Sequence, residues 1–375
     1  MNVVVAMDSF KGSLSSLRAG NAVKAAIQKL HPEATVTVKP LADGGEGTVD
    51  ALCAGLSGQR IRMTVKDPMQ QPVEAEYCIL MPSGTAVIEC AAAAGITLVS
   101  DRERDPLKAT TYGVGQMIAD AVARGCRRFI IGIGGSATND GGTGMLTALG
   151  AEFLDQAGKP IALGAQGLQT LHSIRLANLL PELAECSFQI ACDVDNPLCG
   201  ERGCSAVYGP QKGATPGMIK DMDDWLARYA KLAGQVSAKA DENYPGAGAA
   251  GGLGFAFLSF TNAQLRPGIQ IVLEEIGLEA DIRNADIVVT GEGRLDGQTV
   301  MGKAPIGVAR LAKKYGKKVI AFSGCVGQNA EACNHYGIDA FFPILRGVTT
   351  LEEAMDPDNA FENLKATAYQ VFRLL

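Results

Sequence analysis

Short β-branched runs alternate along the first part of the chain with segments whose apolar residues recur every three or four positions. That alternation predicts a strand over Asn2 to Met7, a loop over Asp8 to Ser13, a helix from about Leu14 to Leu30, a strand over Thr35 to Lys39 and a helix over Gly47 to Ala54. It is the rhythm of βαβ units in a parallel sheet. The same rhythm returns near the end, with strands over Asp286 to Thr290, Lys318 to Ser323 and Ala340 to Pro343, and helices over Gly302 to Tyr315 and Asn329 to Tyr336. Between these stretches the texture changes: Ile61 to Val65, Glu74 to Leu80 and Ala86 to Glu89 are short alternating strands joined by Pro and Gly turns, as in a meander, and further strands follow over Phe129 to Gly132 and Phe188 to Cys192. The expected fold class is therefore α/β with two domains. Residues 1–62 and 285–375 would form one discontinuous Rossmann-like parallel-sheet domain, residues 63–284 a mixed α/β domain inserted in it, and the active site would lie in the cleft between them.

Glycines gather directly behind these strands. The densest loop, Ile131 to Met145, reads I-G-I-G-G-S-A-T-N-D-G-G-T-G-M and follows the apolar run Phe129-Ile130-Ile131. Small, flexible positions beside a buried strand let backbone N–H groups close around an anion. Leu41 to Thr48, Cys192 to Gly200, Pro245 to Phe255 and Thr290 to Pro305 repeat the theme. Carboxylates stand among these glycines and in the Asp8 loop as Asp8, Asp43, Glu46, Asp140, Asp193, Asp195, Glu292 and Asp296. Any one of them is ordinary turn chemistry. Their recurrence matches two needs of phosphoryl transfer, oxygen ligands for magnesium and an oriented acceptor for a hydroxyl proton.

Composition narrows the classes. With 375 residues, 47% of them hydrophobic, the chain can bury a large core and exceeds what one core usually covers. A formal net charge of −6 and the lack of any basic run of five argue against a nucleic-acid partner. The first residues enter a strand at once, and no stretch is long and apolar enough to span a bilayer, so a cytoplasmic protein with no membrane partner is expected. Ten cysteines are scattered, several in apolar runs, and disulfides are not expected. Cys192, Cys199 and Cys204 match no common zinc spacing, and none of the three histidines neighbours a glycine loop.

Two glycine patterns imitate known fingerprints. Gly132 to Ala137 fits G-x-G-x-x-A behind a strand, with Glu152 placed downstream as a dinucleotide site would have it. A helix must begin inside that fingerprint, whereas Asn139, Asp140, Gly141, Gly142 and Gly144 prolong the loop. An NAD-dependent oxidoreductase acting on a small hydroxy acid is the alternative it keeps open. Gly297 to Lys303 spells G-x-x-x-x-G-K, but Ala304 stands where a magnesium-binding Ser or Thr is required, which excludes an orthodox P-loop. What survives is a lysine at the start of a helix.

Taken together, Asp8-Ser9-Phe10-Lys11-Gly12-Ser13-Leu14, Ala42 to Thr48, the Gly132 to Gly144 loop, Cys192-Asp193 with Asn196-Pro197, Gly209 to Ala214, Gly246 to Gly252 and Thr290 to Gly293 resemble the class I glycerate kinase family of bacteria. The resemblance runs in order from residue 8 to about residue 310. It implies transfer of the γ-phosphoryl of ATP to D-glycerate, most often giving 2-phosphoglycerate, with Mg2+, on two α/β domains.

Such a substrate needs a cationic anchor, a base and hydroxyl partners. Lys11 and Arg294 suit the carboxylate, with Asp8 and Ser13 beside them for substrate binding. Asp193, and after it Asp296, is the expected proton acceptor; Lys212 or Lys303 would meet charge on the γ-phosphoryl. Gly134, Gly135, Ser136, Thr138, Asn139 and Gly142, together with Gly248 and Gly251, are expected around the phosphates of ATP, and Asp43 and Glu46 around the metal.

Overall fold

The computed structural model describes residues 1–375. Thirteen strands follow the chain: β1 Asn2–Met7, β2 Thr35–Pro40, β3 Gln59–Lys66, β4 Pro72–Leu80, β5 Thr85–Glu89, β6 Arg128–Gly132, β7 Glu152–Leu154, β8 Ser173–Arg175, β9 Ser187–Ala191, β10 Ala263–Arg266, β11 Ile287–Leu295, β12 Lys318–Val326 and β13 Ala340–Pro343. The chain divides into two compact units, the first of residues 1–43, 50–57 and 268–375, the second of residues 44–49 and 58–267. Residues 268–284, which pattern alone assigns to the inserted part, thus belong to the first unit. There the helix Gly268–Glu275 packs on the helix Ala304–Lys314, and Gly307 leaves room for the Ile269 side chain.

In the first unit five strands lie in the order β13-β12-β11-β1-β2, every pair parallel. The helix Ser16–Leu30 begins when the Ser15 hydroxyl accepts from the Arg18 N–H, and it buries Ala19, Val23, Ala26 and Ile27 at the three-to-four spacing of one helical face. That face meets the helix Pro357–Phe372, whose Leu364, Ala368 and Phe372 complete a core with Val3, Val5 and Val289.

In the second unit six strands lie in the order β10-β9-β6-β5-β4-β3. The three beginning at residue 59 are antiparallel neighbours, and the sheet turns parallel from β5 onward. Its core carries Phe129 stacked on Phe188 at 4.7 Å, with Phe257 beyond. Strands β7 and β8 form a separate antiparallel pair.

Eight cysteines are free thiols, but Cys53 and Cys78 are disulfide-bonded, which corrects the expectation that none would be. No helix is long and apolar enough to cross a membrane.

Candidate active site

In the first unit the chain leaves β1 toward β2 on one side, while β11 leads to β12 and β13 on the other. Open parallel sheets bind ligands at the carboxyl ends of their strands where the order reverses in this way. Asp8 stands at that end of β1, and its backbone N–H donates to the Gly291 carbonyl at 2.8 Å. Glu292 follows on β11, so two carboxylates flank the switch point, and both are buried. Burial, and after it the charge of nearby Asp43, pushes Asp8 up to about 7; Glu292 acts in the same sense, opposed by the Ser9 N–H and by Lys11. Burial likewise raises Glu292, while the Thr299 hydroxyl, which donates to it at 2.7 Å, and Lys303 oppose the shift.

A cavity of about 380 Å³ opens over these residues. Asp8, Asp43 and Glu292 line it together with Lys11, Lys303 and Arg294. Ser13 also lines it, and its buried hydroxyl oxygen has no partner in the protein. Lys303 is placed by local structure: Gly302, at φ 110, ends a short 3₁₀ turn, and Lys303 caps the helix Ala304–Lys314 with Pro305 in its first turn. Asp296 is engaged in its own turn. It accepts from the Gln298 N–H at 2.9 Å and from Arg294 Nε at 3.1 Å.

In the second unit Gly134 and Gly135 are exposed at the head of the loop behind β6, and Ser136 to Asp140 are buried beneath. Lys212, only 2% exposed, donates to the Ser136 hydroxyl at 3.0 Å and the Thr138 carbonyl at 2.6 Å. Asn139 donates to the Ser205 hydroxyl at 2.9 Å, leaving its own carbonyl oxygen and the Thr138 hydroxyl buried without partners. Asp140 is a hub: its carboxylate accepts from the N–H groups of Thr111, Gly142 and Gly144 and from the hydroxyls of Thr110 and Thr111. The helix Thr143–Ala148 begins only after Gly142, so it cannot point at a phosphate held by Gly132 to Ala137. That removes the structural basis of the dinucleotide fingerprint.

Gly142, Gly248 and Gly251 face protein, not open space. A Cβ on them would lie 2.4 Å from Ala256 Cβ, 2.2 Å from the Pro197 carbonyl oxygen and 2.0 Å from the Thr138 carbonyl oxygen, respectively. They let loops of the second unit touch. Asp193 lies exposed in the loop after β9, Asp195 pairs with Arg202 at 3.1 Å, and Glu46 is exposed and does not line the cavity.

Three features went unread in the sequence. Glu292 figures there only as one carboxylate among many. The anchoring work of Asp140 depends on contacts far along the chain. The cavity wall from Ile344, Leu351, Ala354 and Met355 lies beyond the last expected element, although Thr350-x-x-Glu353 is a capping box that marks the helix Leu351–Met355.

The chain matches the model of the glycerate kinase family over residues 3–375. It is 44% identical over 375 residues to a glycerate kinase of Haemophilus influenzae, covering 100% of this chain and 99% of that one. To the glycerate 2-kinase of Escherichia coli it is 43% identical over 364 residues, covering 97% and 95%. A crystal structure assigned to glycerate kinase 2 from Salmonella typhimurium LT2 superposes with a TM-score of 0.93 at 45% identity, covering 100% of this chain and 98% of that one. The oxidoreductase alternative falls with these matches. The carboxylates, lysines and glycine loops described above are set in a chain that belongs, end to end, to the glycerate kinase family.

Proposed function

We propose that the protein transfers the γ-phosphoryl group of ATP to the 2-hydroxyl of D-glycerate, giving 2-phosphoglycerate and ADP, with Mg2+ as the accompanying ion. The observation that supports it most is the placement of Asp8 and Glu292 at the switch point of a parallel sheet, in one cavity with Lys11, Lys303 and Arg294.

Lys11 and Arg294 take the glycerate carboxylate, a guanidinium being suited to bind it in two places. The unpartnered Ser13 hydroxyl serves a substrate oxygen. Asp8 accepts the hydroxyl proton: a group held at about 7 is matched to a neutral working pH. It takes the role first expected of Asp193, an exposed loop carboxylate, or of Asp296, which is tied to Arg294. Lys303, at a helix start, meets the charge that develops on the transferred group.

Magnesium is commonly held by one or two carboxylates plus phosphate oxygens and water. Asp43, whose charge is felt by both Asp8 and Glu292, would hold it; Glu46 is exposed and does not line the cavity. The ion supplies neutralisation of phosphate charge. In the second unit, the exposed backbone of Gly134 and Gly135 with Ser136 serves phosphate oxygens, and Lys212, Thr138 and Asn139 support that loop from beneath.

The test is ADP release from Mg-ATP with D-glycerate, with L-glycerate and with no acid. Turnover confined to D-glycerate, with phosphorus–proton couplings that place the phosphate on C2, is expected. Phosphate on C3, or preference for L-glycerate, overturns the acceptor assignment. No turnover by a folded protein overturns the kinase reading for this chain.

A further inference from the structure

Glycerate is small and polar throughout, yet the cavity of the first unit is lined by two kinds of residue. Asp8, Asp43, Glu292, Lys11, Lys303 and Arg294 carry charge; Phe10, Ile344, Leu345, Leu351, Ala354 and Met355 form an apolar wall. A volume of about 380 Å³ lies within the range of pockets for drug-sized ligands, roughly 300–1,000 Å³. We infer that the apolar wall receives the adenine base of the nucleotide, whose phosphates then run toward Lys303. This rests on the reading of ATP as the phosphoryl donor.

Three observations carry it. The apolar wall follows the carboxyl edge of the same parallel sheet: Gly324 and Cys325 close β12, Ile344 and Leu345 follow β13, and all four line the cavity. A ligand anchored at the β1–β11 switch point and extended along that edge arrives there. The wall is also joined to the charged loop. Met355 folds over Gly12, so closely that a Cβ at Gly12 would sit 2.7 Å from Met355 Cε. Finally, Leu351 is 79% and Met355 37% exposed, large apolar groups at the mouth of a concave site, and the capping box at Thr350 and Glu353 fixes the helix that carries them. A flat base laid against them removes that surface from water.

The experiment compares ADP with pyrophosphate, which keeps the phosphates and lacks the nucleoside, by calorimetric titration without glycerate. Wild type should bind ADP at least about tenfold more tightly than pyrophosphate. Ala354→Phe, which adds bulk to the apolar wall, should weaken ADP by about tenfold or more and leave pyrophosphate unchanged. Leu351→Asp is the second variant should the first fail to fold, with native structure checked by circular dichroism. Cys325 gives a readout on the unaltered protein: it is exposed and at the cavity wall, so ADP should slow its alkylation by iodoacetamide more than pyrophosphate does. Equal binding of ADP and pyrophosphate, or unchanged ADP affinity in folded Ala354→Phe, overturns the inference. A protein that binds ADP in this Ala354-sensitive way but does not phosphorylate D-glycerate loses only the acceptor reading. One that phosphorylates D-glycerate with Ala354-insensitive ADP binding loses only the base site.

Discussion

The Lys212 ammonium is the post on which Ser136 rests, donating to its hydroxyl at 3.0 Å from a position sealed off from solvent. Burial brings Lys212 down to about 8, against the opposing influence of the Cys204 and Cys90 thiols and Asp140. Between that value and the ordinary 10.5, the unfolded chain keeps a proton that the folded protein has released. Wild-type stability should therefore rise with pH across this window, by up to about 1.4 kcal/mol per unit, relative to Lys212→Met. Urea midpoints of the two proteins at pH 7.5 and 9.5 measure it; parallel behaviour would show that Lys212 carries no such shift. Turnover of Lys212→Met should fall about a hundredfold, since the loop loses the group that shapes it.

Asp8 has the opposite sign. Its folded value of about 7 lies above the ordinary 3.8, so its contribution to stability is intact at low pH and drains away as pH rises through 7. Asp8→Asn should thus be more stable than wild type at pH 8 while losing at least about a hundredfold in turnover. The wild-type kcat/KM should climb with an apparent pKa near 7, a limb absent from the residual activity of the variant. A melting temperature lowered by Asp8→Asn at pH 8 would contradict the assignment.

Asp140 lies in the same glycine loop as Ser136, and its carboxylate is engaged by the protein itself. Three backbone N–H groups need its two oxygens. Asn offers one acceptor where two are used, so Asp140→Asn should cost about 2–4 kcal/mol of unfolding free energy by leaving buried donors unmet. Equilibrium denaturation reads this directly, and a stable but inactive variant would instead argue for chemistry at Asp140.

Two glycines of similar sequence context should behave differently. Gly251 has φ +67 and a carbonyl oxygen 2.0 Å from where its Cβ would stand; Gly134 has nothing within 4 Å. Gly251→Ala should lose about 2 kcal/mol or more, and Gly134→Ala less than about 0.5 kcal/mol. Thermal melts of the pair decide whether Gly251 is a packing residue.

The strands were the most legible part of the chain because a buried parallel strand needs an unbroken apolar run. Asn2–Met7 is found as expected, and Phe129 to Gly132 gains only Arg128 at its start. β11 runs on to Leu295, past the expected end at Thr290, since glycines at 291 and 293 read as a loop while their backbone still pairs with β12. Glycine loops stood out in the sequence, but their roles did not. Nothing in G-A-G-A-A-G-G tells whether a missing side chain admits a phosphate or a neighbouring carbonyl; that depends on Thr138, more than a hundred positions away. Carboxylates were equally indistinct until burial separated Asp8 and Glu292 from exposed Asp193.

The pairing of β1 with β11 also sets a timetable. Val3, Val4 and Val5 take Ile287, Val288 and Val289 as partners, so this pair of the first sheet joins segments far apart in the sequence. On the ribosome the second unit, nearly continuous from residue 58 to 267, is complete while β1 still has β2 alone beside it. Asp8 gains Glu292 as a neighbour only after the second unit has been made, so a nascent chain truncated before residue 287 has a finished second unit and an Asp8 without its neighbouring carboxylate.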